Sequence, residues 1–125
     1  MDPRLRTAVE ISLFTPSDAC VASRVRTAAN FSTRLVGLLN RRYLQENEGL
    51  LLRPGGSVHT FGLRFGIDVV FLDSDMTILK IVRRLRPWRL ALAPPGTRAV
   101  LEIASGRAAV LRLRVGMRVT TKKTD

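Results

Sequence analysis

The sequence is poor in the residues from which most catalytic centres and cross-links are built. It has one cysteine, one histidine, one tryptophan and one tyrosine among 125 residues. Cys20 has no intramolecular disulfide partner, so the fold depends on its core alone. One histidine and one cysteine are too few for a usual zinc site, and we expect neither metal nor cofactor. Because no apolar run approaches the ~20 residues that span a bilayer, the sequence predicts no transmembrane helix.

Acidic residues are scarce as well, and their scarcity leaves a strongly basic chain. There are 21 Lys and Arg against 10 Asp and Glu, a formal net charge of +11, and 18 of the basic residues are Arg. Residues 81–125 carry eleven basic and two acidic residues. Such a segment attracts nucleic acid, anionic lipid or an acidic partner. Genome composition rich in G and C produces the same Arg bias without selection for binding, so charge alone does not decide the function.

The length is that of one domain, and its ends differ in composition from the middle. We expect residues 1–17 to form a loosely ordered arm, residues 18–121 a single β-rich domain, and residues 122–125 a polar tail. The first apolar stretch is interrupted by Glu10 and followed by Pro16, so it does not match a secretory signal. The sequence therefore predicts a cytoplasmic protein.

Short apolar runs that alternate with Gly, Pro and Asp turns predict a mainly β single-domain fold, a sandwich or barrel-like, with one or two short helices. The hairpin over residues 67–82 is the best defined, because two β-rich runs flank the turn residues Asp73, Ser74 and Asp75. The other predicted elements are strands at 20–27, 58–63, 98–103 and 117–121, helices at 33–44 and 107–113, and a loop at 83–97.

Several segments resemble one known family. Residues 34–41 read Arg-Leu-Val-Gly-Leu-Leu-Asn-Arg, and residues 59–73 read His-Thr-Phe-Gly-Leu-Arg-Phe-Gly-Ile-Asp-Val-Val-Phe-Leu-Asp. Together with Glu102, Gly106 and Gly116, they resemble the bacterial and archaeal domain of unknown function 192 family over roughly residues 20–119. The resemblance implies a compact, mostly β domain and no particular activity. The chain departs from the family where Leu63, Gly66, Met76 and Met117 replace the usual Met, Pro, Gly and acid.

Asp68 is the most informative polar residue, because it lies in a strand whose two faces are both largely apolar. A buried carboxylate is costly unless it is paired or hydrogen-bonded. The candidates for its partner are His59, Thr60, Arg64 and Arg34. One interpretation is a polar ligand-binding pocket formed by these five residues; the other is a structural ion pair that fixes the strand register.

His59 is the only histidine, and beside an acid it is a weak candidate for a general base, with Asp68 as its catalytic partner. No nucleophile stands out near it, since the sequence has no Gly-x-Ser-x-Gly elbow and Cys20 lies in an apolar context. Enzymatic activity is therefore the less favoured interpretation, as a hydrolase or isomerase that uses His59 and Asp68.

A basic segment supplies the third candidate site. It places one aromatic side chain among arginines, and the predicted polyanion surface comprises Arg83, Arg84, Arg86, Trp88 and Arg89. Base stacking on aromatic rings is typical of proteins that bind single-stranded nucleic acid. The leading hypothesis is a non-enzymatic module that binds an anionic small molecule or an acidic protein at the Asp68–His59 pocket. The alternatives are an enzyme and a nucleic-acid or polyanion binder.

Overall fold

The computed structural model describes residues 10–28 and 41–122. This part of the chain is mainly β, which confirms the predicted fold class. Its one helix, α1, spans Arg107–Val110. The strands, in chain order, are β1 Glu10–Phe14, β2 Cys20–Ala28, β3 Glu48–Leu52, β4 Val58–His59, β5 Ile67–Leu72, β6 Ile78–Leu85, β7 Leu90–Ala91, β8 Ala99–Ala104 and β9 Thr120–Lys122.

Seven of the strands form one sheet in the order β6-β5-β8-β3-β2-β1-β9, and β4 pairs with β7 in a small second sheet. The large sheet is antiparallel except between β2 and β3. The sheet is curled, because one short segment, residues 116–120, bonds to β6 at one border of the sheet and to β1 near the other. Met117 accepts a hydrogen bond from the N–H of Ile78 at 2.7 Å, and three residues later Thr120 pairs with Phe14 in β1.

The core lies on both faces of β5 and β8, whose residues are all buried. The apolar pattern of β5 explains this: Ile67, Val69 and Phe71 pack into one cluster, and Val70 and Leu72 pack into a second cluster on the other face. Burial of large aliphatic and aromatic side chains is the main stabilising contribution in a domain of this size.

The hairpin and the predicted strands at 20–27 and 98–103 lie where the sequence pattern places them, whereas β9 begins three residues later than the strand predicted over 117–121. The predicted helix 33–44 falls on residues outside the described part of the chain as far as residue 40, and residues 41–44 are not helical. The strand expected over 58–63 ends at His59, and β6 extends to Leu85 into the predicted loop.

The predicted N-terminal arm is wrong for residues 10–17. Residues 10–14 form β1, which lies between β2 and β9, and the side chain of Leu13 is fully buried. Long-range pairing with β9, more than a hundred residues away, stabilises this strand despite Glu10 and Pro16. Residues 1–9 and 123–125 lie outside the described residues, whereas Lys122, assigned to the tail, belongs to β9.

Candidate functional site: a ring platform among arginines

Three ring side chains stack at the surface beside the small sheet. The rings of His59 and Phe61 have centroids 4.5 Å apart and planes 23° apart, and those of Phe61 and Trp88 are 5.8 Å and 21° apart. Phe61 is 44% exposed and Trp88 is 64% exposed. Near-parallel, offset rings are a favourable aromatic arrangement. We refer to His59, Phe61 and Trp88 as the ring platform.

A tight turn over residues 86–89 presents Trp88. Pro87 is its second residue, and Trp88, its third, has a φ of +62°. Proline followed by a residue with positive φ is the signature of a type II turn, whose third position normally holds Gly or Asn. A bulky residue in this region costs about 1–2 kcal/mol relative to a right-handed conformation. The chain therefore holds its single tryptophan in a strained, exposed position.

The Thr60 hydroxyl closes this turn from inside. It donates a hydrogen bond to the carbonyl of Arg86 at 2.6 Å and accepts one from the N–H of Arg89 at 2.9 Å. These are the two groups that a tight turn often joins directly. The N–H of Trp88 also donates to the Thr60 carbonyl at 3.1 Å, and Thr60 itself is fully buried. Thr60, predicted to contact a ligand, is enclosed beneath the turn that carries Trp88.

His59 is fixed by its own strand end. Its Nδ1 accepts a hydrogen bond from the N–H of Phe61 at 3.2 Å, and its main chain pairs with Leu90 of β7. In this contact the Nδ1 atom acts as the hydrogen-bond acceptor. Leu90 and the nearby Leu92 are 58% and 61% exposed, which extends the apolar surface along β7.

The surroundings of the platform are basic. Arg64, Arg86 and Arg89 are exposed. The two segments around the platform, residues 57–67 and 83–93, contain five basic residues and no acidic one. These segments therefore contain no carboxylate that would neutralise the positive charge of the arginines, and this surface attracts an anion.

The Asp68 carboxylate forms its hydrogen bonds with backbone N–H groups. It is fully buried; Oδ1 accepts hydrogen bonds from the N–H groups of Arg84 at 2.8 Å and Gly106 at 3.1 Å, and Oδ2 accepts one from Ala108 at 2.8 Å. The expected partners His59, Thr60 and Arg64 are not among these donors, and Arg34 lies outside the described residues. The carboxylate thus joins β5, β6 and the start of α1.

The predicted polyanion surface is exposed at all five positions, Arg83, Arg84, Arg86, Trp88 and Arg89. The contacts of these residues differ. Arg83 donates a hydrogen bond to the carbonyl of Leu113 at 3.4 Å, and Arg84 lines a cleft of about 260 Å³ with Gly106 and Arg107. Arg86, Trp88 and Arg89 belong to the turn beside the ring platform. The structure therefore brings three of these five residues beside His59 and Thr60, which the sequence analysis placed in a different site.

Phe61 is the functional candidate that sequence reasoning missed. It connects His59 to Trp88 in the stack. The available signal was its spacing of two from His59, which places both side chains on one face of an extended segment. Over residues 10–28 and 41–122, no group of three or more His, Cys, Asp or Glu side chains is placed to hold a metal ion. In the same residues, no helix has the length and apolarity to cross a membrane.

Two archaeal proteins are similar to this chain in sequence. A UPF0127 protein of Pyrococcus abyssi is 33% identical over 104 residues, which cover 77% of this chain and 84% of the relative. A UPF0127 protein of Pyrococcus furiosus is 35% identical over 98 residues, covering 76% and 84% of the two chains.

A solved structure has the same fold. The crystal structure of a protein of unknown function from Novosphingobium aromaticivorans aligns with a TM-score of 0.76 at 24% identity, and the alignment covers 90% of this chain and 84% of the other. The family model described as "Uncharacterized ACR", domain of unknown function 192, matches residues 13–121. The chain therefore belongs to the domain of unknown function 192 family, as its sequence motifs indicate.

Proposed function

We propose that this protein is a non-enzymatic binding module that holds an anionic partner on the ring platform. The observation that carries the proposal is the stack of three near-parallel rings, two of them well exposed, on a surface flanked by Arg86 and Arg89. Exposed aromatic and Arg side chains are the residue types that most often dominate binding energy at interfaces. The proposed binding site therefore keeps His59 from the predicted pocket but includes Trp88 in place of the buried Asp68.

The strain at Trp88 supports a binding role. A left-handed conformation at a non-glycine residue costs free energy, and such residues concentrate at functional sites. A glycine would relieve the strain at this turn position, but it would also remove the largest exposed ring. The Thr60 hydroxyl then holds the turn in the conformation that keeps Trp88 against Phe61.

The enzyme alternative finds less support in the same contacts. A His–Asp pair needs the carboxylate to orient the imidazole. Here the Asp68 carboxylate accepts three backbone hydrogen bonds and is fully buried, while His59 Nδ1 accepts the N–H of Phe61. Neither side chain orients the other through these bonds, so His59 contributes an aromatic face rather than a base.

The test measures anion binding with matched charge removals. Fluorescence anisotropy is recorded for a fluorescein-labelled poly-glutamate peptide and a labelled phosphodiester chain without bases. The double variant Arg86→Ala/Arg89→Ala is compared with Arg53→Ala/Arg118→Ala, which removes the same charge from a cleft beside the β5–β6 turn. That cleft lies at the other end of β6, about 25 Å away at the usual rise per residue.

We expect at least one of the two anions to bind, with about tenfold weaker binding for the platform variant and an unchanged affinity for the cleft variant. Binding should also weaken as salt rises, because bound phosphates or carboxylates release counterions. Equal losses in the two variants would mean that total charge, and not the platform, determines binding. If neither of these anions nor a single-stranded oligonucleotide of the same length binds the wild-type protein at low salt, the proposed function is wrong.

A further inference from the structure

We infer that the anionic partner is a single-stranded nucleic acid, whose bases stack on the ring platform and whose phosphates contact the arginines beside it. This inference rests on the proposed function and specifies its ligand. Three observations carry it: the parallel geometry of the rings, the exposure of Trp88, and the position of Arg86 and Arg89 in the same turn.

The ring geometry favours a base over a carboxylate. The planes of neighbouring rings in the platform differ by only 21° and 23°, so the stack offers flat faces that a further planar group can continue. Every nucleobase has such a face, and base–aromatic stacking is tolerant of sequence. A poly-glutamate peptide supplies negative charge but no aromatic ring, and it would leave the exposed ring of Trp88 without a matching partner.

The arrangement of charge favours phosphates close to a stacked base. Arg86 and Arg89 are two and one residues from Trp88 and are both exposed, so a base on the indole lies within reach of either guanidinium for its own phosphates. Arg64 follows Phe61 by three residues and is exposed as well. A cationic surface that tracks the backbone, together with rings for the bases, is the common design of single-strand binders.

Single strands are favoured over duplexes for a structural reason. Bases in a duplex are already stacked on one another, and the major groove is usually read by an inserted helix or a two-stranded ribbon. In the described residues the one helix has only four residues and belongs to neither segment of the platform. The exposed rings instead need bases whose faces are open.

The test separates stacking from charge. A fluorescein-labelled oligomer of about 12 deoxythymidines, within the usual range of site sizes, is compared with the abasic phosphodiester chain of equal length. Trp88 is the only tryptophan, so quenching of its emission reports contact at the platform directly. We expect the thymidine oligomer to bind about 5- to 100-fold more tightly than the abasic chain and to quench Trp88 emission, whereas the abasic chain leaves the emission nearly unchanged.

Variants assign the effect to the platform. Phe61→Leu and Trp88→Leu keep apolar side chains but remove rings, and each should reduce the preference for thymidine over the abasic chain at least fivefold. Arg86→Ala/Arg89→Ala should weaken both ligands and lower the slope of log affinity against log salt by about 1.4. A variant that unfolds is recognised by circular dichroism, and quenching of wild-type Trp88 then carries the test.

The outcomes distinguish this inference from the proposed function. If the abasic chain or poly-glutamate binds as tightly as the thymidine oligomer and still depends on Arg86 and Arg89, the platform binds anions but not bases, and only the inference is overturned. If a thymidine preference persists in Trp88→Leu and Phe61→Leu, bases stack elsewhere and the inference is again overturned. Absence of binding by all three ligands overturns both.

Discussion

Thr60 and Arg89 are joined by hydrogen bonds in both directions: the Thr60 N–H donates to the Arg89 carbonyl at 2.9 Å, and the Thr60 hydroxyl accepts from the Arg89 N–H at 2.9 Å. This pair ties the end of the small sheet to the turn that carries Trp88. The fully buried Thr60 therefore holds the turn that carries the exposed ring of Trp88.

Replacement of Thr60 should separate positioning from contact. Thr60→Val keeps the shape but removes the hydroxyl, which leaves the carbonyl of Arg86 and the N–H of Arg89 without this partner. Loss of such buried bonds costs about 1–3 kcal/mol, so we expect the thermal midpoint to fall by about 5–10 °C. Thr60→Ser retains the hydroxyl and should recover most of the loss.

The role of Thr60 in positioning Trp88 can be measured separately, through the fluorescence of Trp88. In Thr60→Val the emission maximum of Trp88 should shift, since the ring is no longer held against Phe61, and Thr60→Ser should restore the wild-type spectrum. A Thr60→Val protein with lowered stability but an unchanged spectrum under native conditions would contradict the role in holding Trp88 and leave only a role in the fold.

Asp68→Asn should damage the fold severely. The amide keeps one oxygen but places an NH₂ group where the carboxylate accepts a backbone N–H, and the charge that strengthens all three hydrogen bonds is lost. We expect a loss of about 3 kcal/mol in the free energy of unfolding, measured by urea denaturation. Binding to anions, measured below the new midpoint, should stay within about twofold of wild type because Asp68 is sealed from the surface.

Asp73→Asn is the matched control for this change. The Asp73 carboxylate uses Oδ1 alone, which accepts from the N–H groups of Asp75 and Thr77 at 2.8 and 2.9 Å. An asparagine oxygen makes the same turn, so the unfolding free energy should change by less than about 0.5 kcal/mol. A large loss at Asp73 and a small one at Asp68 would reverse the assignment of their roles.

Gly55 and its neighbour offer a test of close packing. A Cβ at Gly55 would lie 2.7 Å from the Leu52 carbonyl oxygen and 2.9 Å from the Val100 nitrogen, whereas a Cβ at Gly56 meets nothing within 4 Å. Gly55→Ala should therefore lower stability by about 2 kcal/mol, since backbone must shift, and Gly56→Ala should be neutral or slightly stabilising. Thermal melts of the two variants side by side check this, and similar midpoints would contradict it.

The Arg41–Glu48 ion pair makes part of the stability depend on pH. Two hydrogen bonds from the Arg41 guanidinium lower the pKa of the Glu48 carboxyl below its usual value. A carboxyl with a lower pKa in the folded than in the unfolded state contributes stability above the unfolded pKa of about 4.3, and this contribution is lost as the pH falls through the folded pKa.

Glu48→Gln should accordingly destabilise the protein at pH 7 by about 1 kcal/mol, because the pair is bidentate and only partly exposed. Urea denaturation at pH 7 and at pH 3 should show the difference between wild type and variant shrinking toward the acidic end. A difference that stays constant between these pH values would contradict the ion-pair explanation.

Local patterns predicted the parts of this fold whose contacts are close in sequence. The β5–β6 hairpin joins two runs rich in β-branched and apolar residues through an Asp-Ser-Asp turn, so both its strands and its pairing follow from residues 67–82. Burial of Asp68 follows too, since both faces of β5 are apolar. The identity of its partners does not, because the backbone donors of Gly106 and Ala108 lie 38 and 40 residues further along the chain.

The candidate site was less accessible to sequence reasoning for the same reason. Thr60 bonds to residues 26 and 29 positions away, and no periodicity reports such contacts. Trp88 has a positive φ in a position that composition rules assign to glycine. His59 and Trp88 were each recognised as unusual, but the stack that joins them through Phe61 depends on how the chain folds back between β6 and β7.

The short C-terminal segment that meets both edges of the large sheet has a mechanical consequence. Gly116 and Met117 bond to Ile78 on one side, and Thr120 pairs with Phe14 on the other. Detachment of these few residues would open the curled sheet at two borders simultaneously. Residues 116–122 therefore connect both borders of the sheet, and hydrogen exchange at Ile78 and in β1 should accelerate together when this segment is loosened.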